Sequence, residues 1–223
     1  MTEKLATERF MRDVKDHTIS ILRDDGIYRH IRFRRPDTIT MGFDLVTWPG
    51  VLCYTGDMGT YVFSRLPDMF EFFRVDWENA KDSHLPINPG YWSEKLLAVD
   101  SGIQNGSALK FSKDKFVEII TGQVSDWIED HDLSDKDAEY LRSTVKEEVL
   151  KSIDMIDPDD WRHALRLASN FTCKVNKEDF YFDGLWDYNY GDFADSLIWC
   201  CHAIVWGIDQ YDAEKAKPGE AVA

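Results

Sequence analysis

Asp57 lies at the centre of Gly56-Asp57-Met58-Gly59, within the run CYTGDMGTYVF from Cys53 to Phe63. Two glycines around an acid fit three structures: a phosphate cradle, a catalytic aspartate on a tight turn, or a plain hairpin. A phosphate loop needs its glycines between a strand and a helix, so that backbone N–H groups and the helix start face the anion. Here both flanks are β-rich, the loop has no lysine, and Asp57 would repel phosphate. The hairpin reading leads, because Gly and Asp supply the backbone angles of a tight turn. Asp57 stays a candidate recognition residue at the loop tip.

His30, Arg32 and Arg34 form a basic row, thickened by Arg29 and Arg35. One reading is contact with an anion or nucleic acid. The other is cross-strand pairing with acids such as Asp44, or cover by acidic helices. The chain carries 41 acids and 26 bases, a net charge of −15. That excess repels nucleic acid and favours basic protein partners, so the pairing reading leads. An enzyme acting on a nucleotide or nucleic acid would use Asp57 together with the row. Cys201 and His202 are adjacent, but neighbouring helical residues point about 100° apart, which spoils a nucleophile–base pair. His202, near Trp199 and Trp206, reads as a core histidine with satisfied nitrogens. No H-x-x-x-H, H-E-x-x-H or C-x-x-C spacing occurs, so neither a metal site nor a cofactor is expected.

Two acid-rich stretches remain. Residues 113–160 hold fifteen acids against six bases, a net −9. The plain reading is a solvated helix face. The sharper one is a partner-binding face built from Asp114, Glu118, Asp126, Glu129, Asp130, Asp135, Asp137, Glu147 and Glu148, with carboxylates spaced like the phosphates of duplex DNA. Asp179 to Asp195 interleaves five aspartates with seven aromatics. It lacks the D-x-D-x-D-G pattern and closing glutamate of a calcium loop. Core aromatics alternating with solvated acids explain it. Asp183, Trp186, Asp187, Tyr188 and Tyr190 form the alternative patch for a basic partner.

The elements that must position these residues follow from periodicity. After a short opening helix, TISILRDDGIYRHIRF reads as two strands joined by Asp25-Gly26. Ile39, Met41, Phe43 and Leu45 continue one apolar face, and VLCYT and TYVFSR flank Asp57. NPGYWSEKLLAVD reads as a helix capped by Asn88 with Pro89 first. Helices follow over SKDKFVEIITGQVSDWIED, over the Ser134-capped SDKDAEYLRSTVKEEVLKSID, and over DPDDWRHALRLASNF. The last helix, about Tyr190 to Tyr211, is apolar nearly all round and should be the most buried. The expected fold is α+β: an antiparallel β-meander of four or five strands packed against a mainly α-helical C-terminal part. It is read as a single domain over 1–223, with the meander in 1–66, the helical part in 67–213 and a loose tail in 214–223.

Length and composition agree with that. A chain of 223 residues buries roughly 70–75% of its unfolded surface. The longest apolar run, Leu197 to Ile208, is too short for a membrane span. Cys53, Cys173, Cys200 and Cys201 read as reduced structural thiols in a cytoplasm.

The blocks FDLVTWPGVLCYTGDMGTYVF, INPGYWSEKL and IWCCHAIVWGI resemble a family of accessory proteins of temperate phages and prophages of Gram-negative bacteria. The resemblance implies no activity, cofactor or catalytic residue. It implies a class of roles, among them inhibition of host defence systems of the CRISPR or restriction type. The expected function is therefore a non-enzymatic inhibitor in the host bacterial cytoplasm. Its partner would be a basic host protein or nucleoprotein complex, bound through the acidic face without direct contact to nucleic acid or membrane. The alternatives are the enzyme above and a phage regulatory interaction module.

Overall fold

Strand β2 (Tyr28–Arg34) shows the rule that builds the sheet: Arg29, Ile31 and Phe33 are buried, while His30, Arg32 and Arg34 are half-buried. A period of two puts one face inward and one outward. The computed structural model describes residues 3–74, 85–100, 108–153 and 161–217. The tail from 218 onward lies outside them, as do Asp154, Asp157, Asp159 and Asp160 of the acid-rich stretch. The chain divides into two compact units, Met1–Ala108 with Phe193–Ala223, and Leu109–Asp192.

In the first unit, α1 (Glu3–Val14) precedes a six-stranded antiparallel sheet in the order of the chain. Its strands are β1 (Thr18–Asp25), β2, β3 (Phe43–Trp48), β4 (Val51–Gly56), β5 (Gly59–Ser64) and β6 (Leu96–Val99). The fold is α+β, with a mostly helical region after the sheet. Two details differ from the sequence reading. Ile39 and Met41 do not extend β3: Ile39 is 73% exposed and Met41 turns the chain with φ +57°. The helix expected over NPGYWSEKLLAVD is split. Asn88 caps α3 (Pro89–Ser93) by accepting the Tyr91 N–H at 3.1 Å, but Leu96–Val99 then pairs with β5. Four apolar residues cannot show a period, and the free edge of β5 decides their state.

The inner face of the sheet buries Ile31, Phe33, Phe43, Leu45, Leu52, Tyr54, Tyr61 and Phe63. Helix α8 (Asp195–Lys215) joins that core, with Leu197, Cys200, Cys201, Ala203 and Ile204 fully buried. It starts later than expected because Gly191–Phe193 is extended, as β10. A Cβ at Gly207 would stand 2.9 Å from Leu45 and 3.1 Å from Phe33. Glycine here lets the helix settle onto the Leu45 and Phe33 side chains, which a Cβ would push aside. Phe10 of α1 packs edge-on to Trp199 at 5.0 Å and stacks on the His202 ring at 5.8 Å. Helix α2 (Met69–Phe73) is capped by Asp68, which accepts from Phe70 N–H and pairs with Arg29.

The second unit holds α4 (Lys113–Asp130), α5 (Asp135–Val145), α6 (Lys151–Ile153) and α7 (Trp161–Ser169) around Phe116, Ile120, Leu141, Val149, Leu165 and Phe180. Ser112 and Ser134 cap α4 and α5. Leu141, Val145, Val149 and Ile153 are all buried. Steps of four residues overshoot a turn by about 40° each, so a regular helix would carry this stripe away from the core. A π turn over Lys146–Leu150, between α5 and α6, takes up the drift. The hairpin β8 (Thr172–Val175) and β9 (Glu178–Tyr181) turns on Asn176 and Lys177, at φ +49° and +73°. β7 (Leu109–Phe111) pairs with β10.

His202 is fully buried, and among the described residues its ring nitrogens form no hydrogen bond of good geometry, the Leu85 backbone making only a loose approach. The core histidine is there; its expected satisfaction is only partial. Burial pushes it down to about 4, against a smaller upward push from the Leu85 backbone. The unfolded chain takes up the proton near pH 6.5 and the folded one does not, so stability falls as pH drops from 6.5 towards 4. Between pH 7 and 5 this group alone should remove roughly 2 kcal/mol. Urea unfolding of the parent and of His202→Leu at both pH values checks it, and the variant should lack that component.

Candidate functional site

Gly56 pairs with Gly59 across the turn Asp57-Met58, and Gly59 takes φ +105°. The hairpin reading holds. A Cβ on Gly56 would meet the Gly42 carbonyl at 2.4 Å and Phe43 Cα at 2.8 Å. Asp57 is exposed, and its carboxylate accepts the Met41 N–H at 3.0 Å while its own N–H donates to the Gly42 carbonyl at 3.1 Å. The loop thereby braces the turn before β3. Gly56→Ala should cost about 1–3 kcal/mol, because backbone has to shift. Asp57→Ala should cost about 1 kcal/mol, the worth of one hydrogen bond. Chemical denaturation ranks the two.

The basic row converges on Asp44, not on Asp57. His30 Nε2 lies 2.7 Å from Asp44 Oδ2, Arg32 donates to both carboxylate oxygens at 2.8–3.3 Å, and Arg34 approaches to 3.8 Å. The register makes this inevitable: Arg32 is directly opposite Asp44, with His30 and Arg34 on the diagonals. Burial pushes the Asp44 carboxyl up, but Arg32 and His30 together outweigh it and hold it below its usual range. Arg29 points to the other face, forms two 2.8 Å bonds with Asp68, and lies 4.5 Å over the Phe70 ring.

The thiols of Cys200 and Cys201 are fully buried and pushed well up by that burial, so neither is a thiolate nucleophile. Cys53, Cys173, Cys200 and Cys201 are all free. Among the described residues no three His, Cys, Asp or Glu side chains gather to hold a metal ion, and no helix is long and apolar enough to cross a membrane.

In the second unit Gln123 of α4 joins the loop of the aromatic patch to the helix that carries five of the acids. Asp114, Glu118, Asp126, Glu129 and Asp130 are exposed and project away from the buried stripe Phe116, Ile120 and Val124 of α4. Asp135, Glu147 and Glu148 are also exposed, and Lys151 pairs with Glu147. Asp137 is half-buried and accepts from the Ser134 hydroxyl at 2.8 Å in capping α5. Gln123 of α4 clamps the loop that carries Asp183 to Tyr188. Its Nε2 donates to the Asp183 carbonyl at 2.8 Å and to Tyr188 Oη at 3.4 Å, and its Oε1 accepts the Asp183 N–H at 3.2 Å. Gly184, at φ +60°, opens the 3-10 turn Leu185–Asp187, which leaves Trp186 57% and Tyr188 46% exposed beside the acids Asp183 and Asp187. Tyr190 belongs to the interior: it is buried, its hydroxyl donates to the Leu185 carbonyl at 2.8 Å, and burial pushes it up to about 12.

Gln123 was invisible as a site residue. Its one signal is a long polar amide on α4 about a turn from Asp126 and Trp127. Comparison with protein-family models, with curated proteins and with solved structures returned no match.

Asp44→Asn should destabilise the protein by about 1–3 kcal/mol, since it leaves Arg32, Arg34 and the His30 ring without their shared acid at a partly solvated site. The parent's contribution from Asp44 is present above the unfolded carboxyl range and is lost as pH falls through the depressed folded value. Acid titration of both proteins, followed by tryptophan fluorescence, tests this.

Proposed function

We propose that this protein is a binding module without catalysis of its own, and that the acidic, aromatic surface of the second unit docks a basic partner. The observation that carries the reading is the Gln123 clamp, which ties the loop of the exposed Trp186 and Tyr188 to α4 one helical turn from Asp126 and two from Asp130. Exposed Trp and Tyr are the side chains that dominate binding energy when a partner covers them. Surrounding carboxylates steer a cationic partner to them. Asp114, Glu118, Asp126, Glu129 and Asp130 form no ion pair among the described residues, so their charge is available. The basic row and Asp57, which an enzyme would need free, are engaged with Asp44 and Met41.

Charge density argues for a basic protein surface rather than strict DNA mimicry. The five acids of α4 span about 24 Å, about one per 5 Å, against one charge per 1.7 Å of duplex. The resemblance to phage accessory proteins supports a host defence complex of the CRISPR or restriction type as the partner, met in the bacterial cytoplasm.

The test compares affinity capture from a phage host, and then binding kinetics with the captured partner. One variant neutralises Asp126→Asn, Glu129→Gln, Asp130→Asn and Asp187→Asn; the other is Trp186→Ala. All five positions are exposed, and each change should alter stability by less than about 0.5 kcal/mol. The neutralised variant should associate more slowly and lose the parent's salt dependence. Trp186→Ala should dissociate roughly 30-fold faster. A captured partner that binds both variants at the parent's rates overturns the reading. Competition by duplex DNA would restore mimicry.

A further inference from the structure

Several basic residues of the second unit gather at one place. Of the six bases between 113 and 153, four line one open cavity of about 410 Å³: Lys113, Arg142, Lys146 and Lys151. Its floor is apolar, made by Val124 of α4 with Val145 and Leu150. Arg142 and Lys146 are exposed, stand one helical turn apart, and form no ion pair among the described residues. Lys146 and Leu150 belong to the π turn, an irregularity that recurs at functional sites. In a chain of net −15, Arg142 and Lys146 line an apolar hollow without a carboxylate partner among the described residues, whereas Lys151 on the same rim pairs with Glu147; two such cations beside an apolar floor mark a site for an anion with an apolar body.

We propose that this cavity binds a small amphipathic carboxylate. The aliphatic chain lies on the Val124, Val145 and Leu150 floor, and the head group meets Arg142 and Lys146. The volume falls within the roughly 300–1,000 Å³ of small-molecule sites. The guanidinium fork matches a carboxylate in two parallel hydrogen bonds, and the ammonium adds a second charge. A polyanion such as nucleic acid would be repelled by the surrounding acids and has no use for the apolar floor. The proposal does not depend on the protein-docking reading above.

Calorimetric titration of the full chain with octanoate, 1-octanol and acetate separates the two halves of the recognition. Octanoate should bind, and octanol and acetate should each bind at least tenfold more weakly. Arg142→Gln and Lys146→Gln should each weaken octanoate about tenfold. Lys136→Gln, an exposed cation away from the cavity, should leave binding unchanged. Ser125→Trp, placed on the exposed rim, should fill the hollow and abolish binding. Amide shifts on adding octanoate should concentrate in α4 and residues 142–151, and thermal melts confirm that the variants fold. Three results each overturn the proposal: no octanoate binding at millimolar concentration, octanol binding as well as octanoate, or octanoate binding unaffected by loss of Arg142 and Lys146.

Discussion

Helix α8 has no wet face through its middle, and the first unit is organised around covering it. From Leu197 to Ile208 every residue but Ile198 and Trp206 is buried, and those two are half-buried. A helix that is apolar all round needs neighbours on every side. The sheet supplies one, through the close approach at Gly207. Helix α1 supplies another, where Phe10 and Val14 are buried, and α2 a third, where Phe70 meets Tyr211 edge-on at 5.5 Å. Aromatic pairs such as Phe33–Phe43 at 4.8 Å and Phe33–Trp206 at 5.3 Å add about 0.5–1.5 kcal/mol each beyond their buried area. The same enclosure strips His202 of water, which is why its protonation opposes folding.

The sheet carries an ion pair or cluster on each face, and the geometry decides whether they help. Desolvating two charges costs several kcal/mol unless the pair is well formed and its remaining donors are satisfied. Arg29 and Asp68 meet the first half of that condition, although the buried Arg29 Nε has no partner among the described residues. Their side chains are 9% and 23% exposed, the contact is bidentate, and the guanidinium lies over the Phe70 ring. Asp68 also caps α2, so one carboxylate fixes the start of that helix to β2. Asp44 works differently. It is the more buried partner, 10% exposed, and draws on two half-exposed arginines and the His30 ring. Water reaches those side chains, so the cluster holds register across β2 and β3 more than it adds energy.

The sheet was legible because alternation over five or more residues is unambiguous, as in Tyr28–Arg34 and Val51–Gly56. The expected helix caps Asn88 and Ser134 sit at the starts of α3 and α5. Failures cluster where tertiary context overrides a local signal. Leu96–Val99 became a strand because β5 offered an edge. The four-residue spacing from Leu141 to Ile153 announced a helix, but not the π turn that keeps it on the core. The β8–β9 hairpin was hidden because Asn176-Lys177 supplies positive φ without the glycine that usually marks such a turn. At the surface, acids and aromatics were readable as separate stretches, whereas the tie between them depends on Gln123, whose partners lie 60 and 65 residues away.

Carboxylates are used differently in the two units. In the first, Asp24 binds Lys215 and Tyr211, Asp44 binds the basic row, Asp68 binds Arg29, and Asp212 binds Arg74. Each of these acids is consumed by the fold, and three of them are held below their usual range by such partners. In the second unit, Asp114, Glu118, Asp126, Glu129, Asp130, Asp135 and Glu148 have no cationic partner among the described residues, although cations are available at Arg142 and Lys146. Mutual repulsion along α4 lowers stability by a few tenths of a kcal/mol per like-charged i,i+4 pair, as between Asp114 and Glu118 or Asp126 and Asp130. Pairing those acids with the cations would have removed that cost. Leaving these acids and the two cations unpaired keeps charges of both signs at the surface of the unit, which is the physical reason to look for their partners outside the chain.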